Sequence, residues 1–225
     1  MKTTLYIDGY NLYYGVLRNT PYKWLDVVKL FTKITKEHSP AAEIIAIKFF
    51  TAPVKIRLAN HGEDSQKSQR DYHRALELLY PDSVKIIQGF FTLSEGWYPI
   101  YETPIDRNKT VRAWNLEEKQ TDVNIALNLY RDVSKNGTAQ CILVSNDSDL
   151  TPALQAIKED FPEVKLGAIM PILHKEEKTR RPPNAGISEF TDWTRGYIRD
   201  EELQDSQLPE KIPTKKKPIF KPSYW

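Results

Sequence analysis

Four aspartates lie where predicted strands end or predicted helices begin: Asp8, Asp122, Asp147 and Asp149. Carboxylates brought together at one end of a sheet repel one another unless a divalent cation lies between them. Such a cation lowers the pKa of its bound water and neutralises charge on a phosphate. We therefore predict that the four aspartates are the metal ligands of a metal-dependent phosphodiesterase.

Asp8 also has a structural explanation, because Asp8-Gly9 is typical of a tight hairpin turn. The apolar residues that follow, Leu12, Val16 and Leu17, repeat at helical rather than alternating spacing. The sequence therefore favours a strand, a loop and a helix at this point. Ligands of open α/β sheets bind beyond the carboxyl ends of the strands, which is where Asp8 would lie.

Helix capping could explain the other three aspartates. Asp147 or Asp149 can accept amide protons at a helix N-terminus, although Ser148 would serve equally well. Asp122 suits a first helical turn and could pair with Lys119, but it also extends the apolar stripe of its helix toward the sheet. Taken singly, each aspartate is better explained by structure. Their joint placement reverses that preference.

Two nearby polar residues are candidate supporting groups. Asn11 lies three residues after Asp8, where its amide could orient Asp8 or a phosphate oxygen, and local turn bonding is an equal alternative. Lys119 lies three residues before Asp122 and could meet a phosphate, with a solvated surface lysine as the ordinary alternative.

A nucleic-acid substrate needs a path to the metal, and residues 103–115 are predicted to form a loop that offers one. The loop carries Arg107, Lys109 and Arg112, with Trp114 close by. Cations beside an aromatic ring suit single-stranded nucleic acid. These residues are therefore the candidate nucleic-acid contacts.

Alternating strands and helices must position these residues, which is typical of an α/β fold with a parallel sheet and helices on both faces. Strands are predicted over residues 4–7, 43–51, 84–92, 139–145 and 164–169. Helices are predicted over residues 11–18, 25–36, 64–79, 121–135 and 150–159. The strand 84–92 is expected to turn back as a hairpin at residues 94–96.

The composition changes after the last predicted strand. Residues 1–172 are predicted to form the domain, and residues 173–225 a basic, proline-rich linker and C-terminal extension. Within it, segment 187–203 is expected to pack on the domain and segment 209–225 to be extended. The basic stretch 175–181 is a second candidate RNA contact, although a solvated linker explains it better.

Bulk properties exclude several classes of protein. The chain has 225 residues, 40% of them hydrophobic, and a formal net charge of +2, so any basic surface must be local. Its single cysteine, Cys141, cannot form an intrachain disulfide. No signal-peptide pattern and no run of ~20 apolar residues is present. We expect a cytoplasmic protein without a membrane partner.

Three sequence blocks resemble, in their order, the NYN-domain family, the LabA-like bacterial branch of the PIN-like nucleases: Tyr6–Leu12, Glu118–Val123 and Val144–Asp149. The resemblance covers residues 3–170. It implies a PIN-like three-layer sandwich with a mainly parallel central sheet, Mg²⁺ or Mn²⁺ as cofactor and RNA as substrate, cut to leave 5′-phosphate and 3′-hydroxyl ends.

The resemblance also implies roles for individual residues. The four aspartates become catalytic metal ligands, and Asn11 and Ser145 support them. Asn146 stands where many members have glycine, and asparagine tolerates the left-handed backbone that glycine would supply.

Other functions stay open. Some chains with NYN-like domains have been assigned pyridine-hydroxylase activity, and the aromatic content of 11% would suit a planar substrate. However, no Gly-x-Gly-x-x-Gly follows a strand, so a nucleotide cofactor would lack its usual binding loop. A non-catalytic RNA-binding module is the other alternative. The sequence leaves open whether two chains form a homodimer.

Overall fold

A computed structural model of the chain describes residues 1–174 and 182–225. The basic stretch 175–181 lies outside the described residues. The strands are β1 (Lys2–Asp8), β2 (Glu43–Thr51), β3 (Val84–Gln88), β4 (Phe90–Pro99), β5 (Thr110–Lys119), β6 (Gln140–Val144), β7 (Lys165–Ile169), β8 (Trp193–Arg195), β9 (Lys211–Ile212) and β10 (Ile219–Phe220). The helices are α1 (Gly9–Leu12, continued by a π-helical turn Tyr13–Leu17), α2 (Val27–His38), α3 (Gly62–Leu79), α4 (Thr121–Asn136), α5 (Thr151–Asp160), α6 (Ala185–Phe190) and α7 (Asp200–Asp205).

Six parallel strands form the central sheet in the order β3-β2-β1-β6-β7-β8. The central strands β1 and β6 are buried on both faces, which explains their continuous apolar runs. Ile7 pairs with Phe49 on one side and with Val144 on the other, so the carboxyl ends of three strands are aligned. The chain order reverses between β1 and β6, and such a switch point leaves a crevice in which ligands bind. Asp8 lies at that point.

Helices cover both faces of the sheet. Leu5 and Ile7 point into a core with α1, α2 and α3, whereas Tyr6 points into a second core with α4, α5 and α6. The predicted three-layer α/β fold is confirmed. None of the helices in the described parts of the chain is long and apolar enough to cross a bilayer.

The prediction of one strand over residues 84–92 was wrong. The chain leaves the central sheet at Gly89, where a side chain would lie 2.5 Å from the carbonyl oxygen of Lys119. Strands β4 and β5 instead form a separate antiparallel ribbon. Its turn lies between residues 100 and 109 rather than at 94–96. The predicted loop 103–115 is therefore partly strand.

The C-terminal extension packs against the domain. Strand β8 continues the central sheet beyond the predicted boundary at residue 172, and Arg195 bonds Glu202 (2.9 Å) and Glu37 (3.2 Å). The tail expected to be extended contains the short hairpin β9–β10, in which Ile212 and Ile219 are buried. The tail therefore belongs to the hydrophobic core that contains α3.

Candidate functional site

Asp8 is the last residue of β1 and is buried, with 5% of its surface exposed. The backbone N–H of Asn11 donates to its Oδ1 (2.9 Å), and the Ser145 hydroxyl donates to its Oδ2 (3.0 Å). Burial raises the pKa of Asp8 to about 6. The two hydrogen bonds lower this pKa, whereas the negative charges of Asp122 and Asp147 raise it. A buried carboxylate with like charges nearby is stabilised by a cation.

Asp147 and Asp149 follow β6 at the neighbouring strand end. Asp147 is half-buried and caps the short helical turn that begins at Ser148, because the N–H of Asp149 donates to its Oδ1 (3.1 Å). The Ser145 hydroxyl oxygen accepts the N–H of Asp147 (3.1 Å) and so connects it to Asp8. Of the two aspartates that could cap this helix, the structure has Asp147 as the cap, and Asp149 is exposed.

Asp122 lies in the first turn of α4 and is exposed. The buried face of α4 contains Thr121 and Ile125 rather than Asp122, so the prediction that this carboxylate points toward the sheet was wrong. Partial desolvation, followed by the charges of Asp147 and Asp149, raises the pKa of Asp122. The three carboxylates therefore share one electrostatic environment.

Glu118 joins this group, and sequence reasoning missed it. Partial burial raises its pKa to about 7, and the charges of Asp8 and Asp122 contribute, although the Thr121 hydroxyl donates to its carboxylate and opposes the shift. In the register of the ribbon Glu118 pairs with Phe91. The sequence signal was the alternation of β5, which places Glu118 on the opposite face from its two neighbours.

The supporting residues have mostly structural partners. The Asn11 side-chain oxygen accepts the N–H of Asn146 (3.1 Å), so it connects α1 to the segment that follows β6. The Asn146 amide donates to the carbonyl of Pro182 (3.1 Å) and accepts the N–H of Asn184 (2.7 Å). Lys119 forms an ion pair with Glu117 on the other face of the ribbon.

The predicted nucleic-acid contacts lie on the ribbon or its turn. Lys109 pairs with Glu102 (3.1 Å) and Arg112 with Glu95 (2.5 Å), all at the surface, while Arg107 is exposed in the turn. The positive charge of this surface is therefore partly neutralised.

A metal ion would meet oxygen ligands here. Within residues 1–174 and 182–225, no three Asp, Glu, His or Cys side chains lie close enough together to surround one ion. However, Mg²⁺ keeps several of its waters and is commonly held by one or two carboxylates. Oxygen-only donors suit Mg²⁺ and Mn²⁺. The residues therefore fit a hydrated ion held by few direct ligands rather than a closed cage.

An aromatic cavity of about 400 Å³ lies beside the acidic group. Gly9 and Tyr10, which follow Asp8, line it, together with Phe91 of the ribbon and Trp225 of the tail. Burial, followed by the charge of Glu118, raises the pKa of Tyr10, so the cavity and the acidic group share this wall. Tyr10 is therefore part of the cavity wall rather than of either hydrophobic core.

Comparison with known proteins identifies the family. The NYN domain matches residues 2–182. The chain belongs to the NYN-domain family. The match includes all four aspartates and ends before β8, so the C-terminal elements lie beyond it.

Two relatives extend this comparison. The chain is 37% identical to 6-hydroxy-3-succinoylpyridine 3-monooxygenase HspA of Pseudomonas putida, in an alignment that covers 100% of this chain and 75% of that protein. A Vibrio parahaemolyticus protein of unknown function has a similar fold, with a TM-score of 0.51 and 16% identity over 92% of this chain and 96% of that one. The NYN fold is nuclease-like, and the name of the first relative describes a different chemistry.

Proposed function

We propose that this NYN-domain protein hydrolyses RNA phosphodiester bonds with the help of a divalent cation. The observation that carries the proposal is the group of mutually repelling carboxylates at the switch point of the sheet, formed by Asp8, Asp122 and Asp147. Repulsion of this kind disfavours the empty, fully ionised site and favours a bound cation. Phosphodiester hydrolysis is the reaction that such a site supports in a nuclease-like fold.

The residues have distinct tasks in this proposal. Asp8 and Asp147 would hold the principal Mg²⁺ or Mn²⁺, and Asp122 and Asp149 would position its bound water or hold a second ion. The bound ion would supply activated water and neutralise charge on the phosphate. Glu118 lies on the ribbon side of the group, and a carboxylate with a pKa of about 7 is suited to accept a proton from that water.

The β4–β5 ribbon offers a path for the RNA strand. Its cross-strand partners share a face, so Trp97, Arg112 and Trp114 lie on the same side as Phe91 and Glu118. Trp97 and Trp114 are 68% and 63% exposed. Exposed aromatic rings on which bases can stack are typical of surfaces that bind single strands.

A cleavage assay with end-labelled single-stranded, structured and transfer RNAs tests the proposal. We expect cleavage with Mg²⁺ or Mn²⁺, none with a chelator, and products with 5′-phosphate ends. Asp147→Asn should lower the rate at least a hundredfold and leave RNA binding intact. The control is Asp82→Asn, an exposed carboxylate in the turn before β3, which should cleave like the wild type. Unchanged cleavage by Asp147→Asn would refute the proposal.

A second candidate function is hydroxylation of a pyridine-type ring. It is favoured by the aromatic cavity and by the similarity of the whole chain to a protein named as a pyridine monooxygenase. Such a reaction needs O₂ and a reductant, and the usual glycine-rich cofactor loop is absent from the sequence. Stoichiometric flavin absorbance in the purified protein, or oxygen uptake with reduced nicotinamide cofactor and a hydroxypyridine, would select this function over RNA hydrolysis.

A further inference from the structure

The wall of the aromatic cavity includes a largely buried imidazole that forms no hydrogen bond with the described residues. His73 on α3 lines the cavity and is 8% exposed. Its ring packs against Phe49 and Tyr72, with centroid distances of 5.8 and 6.0 Å. No residue in the described ranges forms a hydrogen bond with its imidazole. Buried polar side chains normally have a partner, so an isolated one in a cavity wall indicates a ligand.

Three polar side chains close to His73 in the cavity lining already have partners. Gln69 donates to the carbonyl of Ala52 (2.9 Å) and accepts the N–H of Val54 (2.9 Å). The Tyr10 hydroxyl also donates to Ala52 (2.9 Å), and the Tyr72 hydroxyl donates to Leu25 (2.7 Å). Among the buried polar residues of the described lining, His73 is therefore the one whose side chain forms no hydrogen bond with the protein. Burial lowers its pKa to about 4, so at neutral pH it offers one donor and one acceptor.

The rest of the cavity restricts the ligand to a flat ring with an anionic attachment. Aromatic side chains from α1, the ribbon and the tail form the walls. Arg18, Lys23 and Lys55 supply positive charge at the lining. A volume of about 400 Å³ lies in the range of small-molecule pockets. One aromatic base with its sugar and phosphate meets all three conditions.

We propose that this cavity binds a single nucleobase of the RNA, with His73 hydrogen-bonded to the edge of the base and the tyrosine rings packed on its faces. Tyr10 connects the cavity to Asp8, so the bound base would belong to a nucleotide next to the scissile phosphate. The placement of the base next to the scissile phosphate rests on the proposed function, whereas the binding of a base in the cavity does not. The chain would then select the base at its cleavage site.

Titration of the metal-free protein with adenosine and uridine 5′-monophosphate, followed by tryptophan fluorescence and calorimetry, tests the site. We expect at least one nucleotide to bind at least tenfold more tightly than ribose 5-phosphate, which lacks the base. His73→Phe keeps the ring and its packing and should weaken nucleotide binding about tenfold, the usual effect of one lost hydrogen bond. His73→Gln, which can still donate and accept, should recover part of this loss.

The matched control is His38→Phe, because His38 is exposed and stacks on Trp193, outside the cavity lining. It should bind nucleotides like the wild type. Equal affinity for nucleotides and ribose 5-phosphate would overturn the proposal even if His73→Phe did not fold. So would His73-dependent binding of a free hydroxypyridine without any nucleotide binding. Nucleotide binding in a protein that cleaves no RNA would refute the proposed function and leave the base site standing.

Discussion

Asp8 combines burial with a position among other carboxylates, and this makes its ionisation costly. Its pKa is about 6 in the folded protein against 3.8 in an unconstrained chain. Between these pH values the folded state holds more protons than the unfolded state, so stability falls as pH rises and the loss is complete above about pH 6. A shift of this size corresponds to about 3 kcal/mol. A bound cation would restore part of that free energy.

Asp8→Asn should remove this pH dependence. We expect the free energy of unfolding of the variant, relative to wild type, to rise by about 2 kcal/mol between pH 4 and pH 7 in the presence of a chelator. His73 contributes in the opposite direction, because its lowered pKa makes stability rise over the same interval, but it does so equally in both proteins. Urea unfolding at several pH values measures the difference. Parallel profiles for the two proteins would contradict the assignment.

Glu118 and Glu117 provide a matched pair, since neighbouring residues of a strand face opposite sides. Glu118 senses the charges of Asp8 and Asp122, whereas Glu117 pairs with Lys119. If RNA cleavage is established, Glu118→Gln should lower its single-turnover rate by about a hundredfold, the lower range for loss of a general base. Glu117→Gln should stay within twofold of wild type. Equal rates for both variants would remove Glu118 from the site.

Much of the acidic group was predictable, because parallel strands align their carboxyl ends and so bring Asp8 and Asp147 together. The face of the ribbon on which Glu118 lies was harder to predict. Residues 103–115 include turn-forming and charged residues, and these obscure the alternation of β5. The cavity around His73 was hidden for another reason. Helical spacing shows which face of α3 is inward, but not whether the tail of the chain leaves space above it.

At the scale of elements, the first helix is held by close backbone contact. A side chain at Gly15, in the π-helical turn, would lie 1.8 Å from the carbonyl oxygen of Pro171, which follows β7. Glycine is therefore required by this close approach rather than by a left-handed backbone. The contact also fixes Tyr10 and Tyr13, because they belong to the same helical segment and line the cavity.

Gly15→Ala should therefore destabilise the fold by about 3 kcal/mol or more, since backbone must move to admit even one methyl group. Gly196→Ala is the control, because the nearest atom to its added carbon would be 3.4 Å away. We expect that control to lose less than about 1 kcal/mol, as most surface substitutions do. Thermal and urea unfolding measure both. A Gly15→Ala protein as stable as the control would show that α1 can shift away from Pro171.

Short elements escape prediction from sequence for physical reasons. Strand β8 has only three residues, too few for a periodic pattern, and it joins the sheet because β7 leaves an open edge. The α/β class, by contrast, follows from apolar runs such as Ile44–Ile47 in β2 and Cys141–Val144 in β6, whose burial in a parallel sheet permits few other arrangements.

At the scale of the whole molecule, the C-terminal tail closes one side of the cavity. Trp225 packs against Trp24 and Tyr72, with ring centroids 6.0 and 5.9 Å away. The Tyr224 hydroxyl donates to the carbonyl of Asp64 (2.9 Å) and forms a second hydrogen bond with the Ser68 hydroxyl (2.7 Å). These contacts attach the tail to α3 and to the segment before α2. The tail is thus both part of the core and one wall of the cavity.

Trp225→Ala should lower the free energy of unfolding by about 2 kcal/mol, less than for a fully buried tryptophan because this side chain is half-buried. The control, Phe220→Ala, removes a ring that is 57% exposed and should cost less than about 1 kcal/mol. If the tail and the domain unfold together, Trp225→Ala shifts one cooperative urea transition seen equally by fluorescence and circular dichroism. An unchanged midpoint would mean that the tail contributes nothing to the core, and a separate early transition would mean that it unfolds as a unit of its own.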